Sequence, residues 1–286
     1  MIIGLPMTKD LIQALKLKFK PHFKMCLMIL TCLTLTSCAA TLSSCGGCTT
    51  SISSPTNDVW RYNSFVKIEM EIQVRPTRCE SVPQGIECNI LMAILPPQTM
   101  RASGSGLVVM PTDHSTYILT ADHVCRVDEE EVIPVRTPFG VARVVVQQSM
   151  SISTIDYYGN VREAQYHSSD RPNDICLIRT RGTWGQATPI AERLPAHGEI
   201  VYNVAAPYGI FNPGMVLTFT GRYSGHDERQ RHFYTIPARP GSSGSSILNS
   251  EGEIVGVIHS AHVRFEHMTI SASLSSIQAL MQTIQE

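Results

Sequence analysis

From Ser64 to Val74 the chain alternates well. Val66, Ile68, Met70, Ile72 and Val74 fall on one side, Lys67, Glu69, Glu71 and Gln73 on the other. A period of two is the mark of a half-buried strand. Short apolar or β-branched runs follow at 106–110, 116–120, 132–135 and 141–146, with turn residues between them. Past Asp174 the same texture continues at 175–179, 200–205, 215–223, 232–236, 246–248 and 254–259. Segment 75–100 is loop-like around Pro83, Gly85, Pro96 and Pro97, and inside it Cys88 to Leu95 reads as one more strand. A single helix is predicted, over 273–285, where Leu274, Ile277, Leu280, Met281 and Ile284 recur at steps of three and four behind Ser273 or Ser275 as N-cap. Many short strands, no long helical period and no internal repeat predict an all-β barrel or sandwich.

The first 60 residues have a different pattern. Lys16, Lys18, Lys20 and Lys24 precede an apolar run from Met25 to Leu35. The run is too short for a membrane span, which needs about 20 residues, and suits the core of a secretory signal. It ends in Leu35-Thr36-Ser37-Cys38, the form of a bacterial lipoprotein processing box. The expectation is a signal peptide over 1–37, acylation of Cys38 and a Ser/Thr/Gly-rich tether over 38–60. An ordinary signal peptide cut nearby is the alternative. The chain would then be exported to the periplasm or cell envelope and held to a membrane by its lipid.

Export changes how the cysteines read. Of the nine, cleavage removes Cys26 and Cys32 and acylation uses Cys38, leaving an even set of six. The natural pairs are Cys45 with Cys48, Cys79 with Cys88, and Cys125 with Cys176, the last also readable as two small buried thiols. Cys45-Gly46-Gly47-Cys48 lacks nearby histidines or a second pair, so no metal is expected. A net charge of -1 with no basic block gives nucleic-acid binding no electrostatic support.

The candidate chemistry lies in three motifs. Thr120-Ala121-Asp122-His123, Asn173-Asp174-Ile175-Cys176-Leu177-Ile178 and Pro240-Gly241-Ser242-Ser243-Gly244-Ser245-Ser246 follow in that order, each beside an expected strand. A serine hydroxyl needs a neutral imidazole to take its proton. The imidazole needs a buried carboxylate to fix its tautomer and stabilise its charged form. The developing oxyanion needs backbone N–H donors, and glycines let the chain turn so that those amides converge. Asp174 is preferred to Asp170 because an apolar strand follows it directly.

These motifs resemble those of trypsin-like serine peptidases, nearest the HtrA and glutamyl-endopeptidase branch. Ile118-Leu119-Thr120-Ala121-Asp122-His123 is similar to the family's Leu-Thr-Ala-Ala-His, the Asp174 motif to Asp-Ile-Ala-Leu, and the Ser243 motif to Gly-Asn-Ser-Gly-Gly-Pro. Ser103-Gly104-Ser105-Gly106 resembles the glycine-rich segment ahead of the histidine, and Thr269 to Gln285 the closing strand and helix. The resemblance implies two six-stranded antiparallel β-barrels of chymotrypsin type with a C-terminal helix, in a peptidase domain over 61–286. It implies His123 as general base, Asp174 as orienting acid, Ser243 as nucleophile and the amides of Gly241 and Ser243 as oxyanion hole. It also implies a polypeptide substrate, an acyl-enzyme and no cofactor.

Asp122 departs from the usual small residue before the histidine and is a rival carboxylate for the imidazole. Ser245 and Ser246 stand where Gly and Pro are usual. The alternatives are a binding protein with a decayed site on the same fold, or an esterase, whose Gly-x-Ser-x-Gly elbow fails at Ser245. Gly104 and Gly106 are only a fragment of a dinucleotide fingerprint. Pro237, six residues before Ser243, gives no reason to expect Lys or Arg preference; small or medium apolar side chains, or Glu and Gln, remain open. His259 is expected to border the cleft.

Overall fold

The structure, a computed structural model, describes residues 61–284 apart from Val263. The expected signal, Cys38, the tether and the Cys45–Cys48 pair lie outside the described residues. The chain divides into two units, Met1–Ser51 and Ile52–Glu286, and all described residues belong to the second.

Seven strands come first: β1 (Phe65–Ser81), β2 (Gln98–Pro111), β3 (Ser115–Thr120), β4 (Glu130–Thr137), β5 (Gly140–Asp156), β6 (Val161–Asp170) and β7 (Ile175–Arg181). Their order is β1-β2-β3-β7-β6-β5-β4, and β1 also pairs with β5. That extra pairing closes six of them into an antiparallel barrel, with β4 attached to the projecting half of β5. The other six are β8 (Ile200–Ala205), β9 (Leu217–His226), β10 (His232–Tyr234), β11 (Ser246–Leu248), β12 (Ile254–His262) and β13 (Phe265–Ser271). They close in the order β10-β13-β12-β11-β8-β9. The two six-stranded barrels implied by the resemblance are thus present. An α/β sheet, which an esterase with a nucleophile elbow would need, is absent from the described residues.

The alternation along β1 does what its pattern requires. Val66, Ile68 and Met70 are buried among Val108, Ile118, Ile152 and Ile178 inside the first barrel. Val201, Tyr234, Ile236, Ile247, Val255 and Ile258 fill the second. A third cluster joins them, taking Phe65, Leu107, Leu119 and Leu177 from one barrel and Val204, Leu248 and Val257 from the other. The two barrels therefore share one apolar core at their seam. The terminal helix, α3 (Leu274–Gln282), adds Ile277 and Leu280 to this cluster, and Ser273 Oγ accepts its Ser276 N–H at 3.1 Å.

Three expectations need correction. Cys88 to Leu95 is not a strand: Cys88–Ile94 forms helix α1. Cys79 pairs with Cys88 across a Cα separation of 5.9 Å, and Leu91 packs on Ala142, Val144 and Val146 of β5. β5 is already paired there on both edges, with β1 and with β4, and a helix satisfies its own backbone. A second short helix, α2 (Asp122–Cys125), carries the candidate base, so the terminal helix has company. Finally, β6 has no counterpart in the sequence pattern. Its residues are polar or exposed apart from Ala164, and it exists because β5 and β7 hold it on both sides.

Candidate active site

β3 is buried and apolar, and at Ala121 the backbone leaves it to begin α2, which presents His123. The candidate acid arrives from the other side. Asp170 caps the turn Arg171–Asn173, accepting from Asn173 N–H at 3.3 Å and from Asn173 Nδ2 at 2.7 Å. Asp174 then takes a left-handed conformation, φ 52°, and β7 starts at once. Asp170 is therefore a capping residue, as its position before the turn suits.

That geometry brings Asp174 onto His123. His123 Nδ1 lies 2.8 Å from Asp174 Oδ2 and 3.0 Å from Oδ1, and the His123 backbone N–H donates to Oδ1 at 3.0 Å. Burial opposes the charged carboxylate, yet these bonds and the nearby His259 outweigh it and hold Asp174 below the usual carboxylate range. A carboxylate on Nδ1 leaves Nε2 as the free basic nitrogen of the neutral ring.

Two further ties join the same segments. Cys125 and Cys176 pair with a Cα separation of 6.6 Å. Asp122, the rival carboxylate, does not turn to the imidazole: its oxygens face Arg126 Nε at 3.7 Å and Arg171 Nε at 3.8 Å. Arg171 also meets Asp128 at 2.7 Å.

The nucleophile loop is shaped by backbone. From Gly241 to Asn249 every residue is buried except Ser243. Pro240 C=O accepts from Tyr208 N–H at 2.5 Å, and Ser242 C=O accepts from Ser245 N–H at 3.0 Å and Ser245 Oγ at 2.7 Å. In a trans peptide the N–H points opposite to the C=O. Anchoring these two carbonyls turns the amides of Gly241 and Ser243 to the other side. Among the described residues neither amide has a hydrogen-bond partner, whereas Ser242 N–H donates to Arg239 C=O at 2.8 Å and Gly244 N–H to Ile258 C=O at 2.7 Å. Two unpaired N–H groups two residues apart in a buried loop can hold an oxyanion. Gly241, φ 96°, is needed: a β-carbon there would sit 2.5 Å from Ala206 C=O.

The loop also abuts the base. Ser243 C=O accepts from Ser105 N–H at 2.9 Å, and Ser105 Oγ donates to Gly241 C=O at 2.8 Å. Gly104 has room for no side chain, since a β-carbon would lie 2.6 Å from Val124 Cγ1 and 3.3 Å from Ser243 C=O. No hydrogen bond joins Ser243 Oγ to the His123 ring among the described residues. Ser245, unusual by sequence, has a use: besides Ser242, its hydroxyl meets Asn203 Nδ2 at 3.0 Å. Ser246 is buried at the start of β11.

Sequence reasoning missed several contributors. Tyr208 and Ala206 brace the loop from a segment with no motif of its own. Asn203 is a buried polar residue on β8, detectable only as a break in an apolar run. His259 was expected near the cleft, but its place beside Asp174, with Nδ1 3.9 Å from Oδ2, depends on how the barrels meet.

Residues 104–257, which include His123, Asp174 and Ser243, match the family described as trypsin-like peptidase domain. The serine endoprotease DegS of Salmonella typhimurium (strain 14028s / SGSC 2262) is 29% identical over 167 residues, covering 55% of this chain and 39% of that protein. The chain thus matches well under half the length of that relative. Among solved structures, the serine endoprotease from Yersinia pestis superposes with TM-score 0.54 at 18% identity, over 80% of this chain and 66% of that one. The Rv3671c protease from M. tuberculosis, active form, superposes with TM-score 0.51 at 14% identity, over 78% and 82%. At such identities the superpositions speak for the fold. The family match covers more than half of the sequence and takes in all three motifs, so the chain belongs to the trypsin-like peptidase domain family.

Proposed function

We propose that the protein is a serine endopeptidase with Ser243 as nucleophile, His123 as general base and Asp174 as orienting acid. The observation that carries this reading is an imidazole fixed by a carboxylate on a helix that Gly104 brings against the Ser243 carbonyl, together with the unbonded amides of Gly241 and Ser243. In the proposed reaction Ser243 Oγ rotates onto His123 Nε2, which takes its proton as Oγ attacks the scissile carbonyl. Asp174 stabilises the imidazolium, and the two amides receive the oxyanion. His123 returns the proton to the leaving amine, and water, activated by the same ring, releases the acyl group.

The substrate reading rests on β12. Up to Ile258 its edge is paired with the segment of Ser245 and β11, but past the irregularity at His259, among the described residues, Ser260 to His262 pair only with β13. An unpaired strand edge next to the nucleophile suits an extended polypeptide added as a further strand.

Fluorophosphonate labelling tests the assignment. Wild type is expected to label at one serine and Ser243→Ala not at all, while its thermal melt is unchanged. A Ser243→Ala protein that labels like wild type rules the nucleophile out; a folded wild type that never labels favours the decayed binding protein. Export and a lipid on Cys38 belong to the same proposal, supported by the cationic and apolar N-terminal pattern and by cysteine pairs suited to an oxidising compartment. Mass measurement of the mature N-terminus is expected to give an acylated Cys38.

A further inference from the structure

His259 stands where β12 parts from the nucleophile loop, and the chemistry proposed above does not use it. Its side chain is 17% exposed, and its Nδ1 lies 3.9 Å from Asp174 Oδ2. His123 supplies the short contacts to that carboxylate, from ring and backbone. A carboxylate has about four lone-pair sites, so Oδ2 keeps acceptor capacity on the His259 side. The 3.9 Å gap is longer than a hydrogen bond yet leaves no room for a water in line. Asp174 Oδ2 therefore has an imidazole nitrogen from each barrel within ion-pair reach.

We propose that His259 is a positioning residue that acts through Asp174: kept neutral, it leaves the carboxylate to His123, and once protonated it competes with His123 for that one negative charge. The inference rests on the serine-peptidase reading. Acylation moves one proton from Ser243 Oγ to His123 Nε2 as the Oγ–C bond forms, creating one imidazolium beside one carboxylate. A neutral His259 leaves that pair balanced. A charged His259 adds a second cation at the same carboxylate, and the imidazolium of His123 becomes harder to form.

The groups facing His259 agree with a neutral working state. Burial lowers its pKa below the ordinary histidine value, His123 on α2 and Arg231 at the start of β10 push the same way, and Asp174 alone opposes them. A charged His259 and the His123 imidazolium would share one counter-charge. The sequence motif places no demand on position 259, so this coupling is a property of the folded site.

The experiment measures fluorophosphonate labelling rate against pH for wild type, His259→Ala and His259→Gln, with imidazole NMR titrations of the same set in a Ser243→Ala background. Gln keeps an N–H donor and cannot be charged. His259→Ala and His259→Gln are both expected to label within about threefold of wild type above neutral pH, where His259 carries no charge to remove, at unchanged affinity for the probe. With falling pH both variants are expected to lose rate along the limb of a single ionising group, and wild type along a broader limb set by two. In the NMR titration the His123 midpoint is expected to differ between wild type and His259→Ala. Identical acid limbs in all three overturn the proposal, as does a His259→Gln limb that matches wild type rather than His259→Ala. Should wild type fail to label, the peptidase reading falls, and the His123 titration decides the positioning role by itself: a midpoint indifferent to residue 259 overturns it. If His259→Ala does not fold, His259→Gln carries both measurements.

Discussion

The two barrels fix their shares of the candidate site by different means. The first barrel uses side chains. His123 and Asp174 hold each other through ring and backbone contacts, Cys125 pairs with Cys176, and Asp122 faces Arg171. The second barrel uses main chain. Its loop is set by anchored carbonyls and by glycines at positive φ, 96° at Gly241 and 84° at Gly244. The difference follows from the chemistry. A base must keep one tautomer and one direction, which a charged partner enforces. An oxyanion hole needs two N–H vectors aimed at a point, which only the path of the backbone can set. The first barrel should thus be vulnerable to side-chain removal, and the second to side-chain addition.

Asp174→Asn gives the largest expected effect. The amide preserves shape but donates where the carboxylate accepted, favouring the wrong His123 tautomer. A fall in kcat of about 10⁴ with little change in melting is expected. A loss below tenfold would mean that the side chain is not what fixes the base. Gly244→Ala probes the other barrel. Its β-carbon would overlap Thr120 Oγ1 and Ser105 C=O and lie 2.8 Å from Ala121 N, at a φ of 84° that strains any side chain. Because two of those neighbours are backbone, they cannot swing aside. A stability loss of about 3 kcal/mol or more is expected from overpacking and left-handed strain together, read by denaturant unfolding. Near-normal stability would show that the loop is looser than its hydrogen bonds imply.

The same contrast explains what the sequence made legible. Strands β3, β8 and β11 match their apolar runs within a residue, because each is short, buried and bounded by turns. The α3 helix shows in its spacing and its serine cap. The catalytic candidates were legible because side-chain chemistry and glycine leave a mark at fixed positions. β6 was not, since its pairing partners hold it rather than its own pattern, and α1 was misread because Cys88-Asn89-Ile90-Leu91 has no period until Leu91 meets β5. Contacts made by backbone alone, such as Tyr208 N–H with Pro240 C=O, leave no compositional trace at all.

Acid should undo the barrels in turn. His259 and His232 belong to the second barrel, and burial lowers both below the ordinary histidine value. His232 Nδ1 also shares a 2.9 Å hydrogen bond with Tyr223 Oη. The unfolded chain gains their protons from about pH 6.5 downward while the folded chain resists, so stability falls as pH drops through that window. Asp174 has its folded pKa lowered. Its contribution is complete above about pH 4 and is lost as pH falls through the unfolded and then the folded value. Melting temperature against pH is expected to decline in these two stages, with His232→Gln reducing the first only. A single decline confined to the carboxylate range would remove the buried histidines from the account.

Arg171→Ala is the finest test, because it asks whether ion pairs share in fixing the base. Arg171 opens the turn that leads into Asp174, and its side chain is 55% exposed. Its 2.7 Å contact is with Asp128, itself 68% exposed, while Asp122 is 3.8 Å away. Solvent screens such charges, so a loss of about 1 kcal/mol or less is expected, shrinking further in high salt. Asp122 keeps Arg126 on its other oxygen, so the buried carboxylate is not stranded by the change. Activity should then stay within about threefold of wild type, a loss of well under 1 kcal/mol in transition-state stabilisation. An Arg171→Ala protein that lost activity on the scale of Asp174→Asn would show that the direction of Asp174 is set through the turn by charge. The hydrogen bonds from His123 would then be a consequence of the geometry rather than its cause.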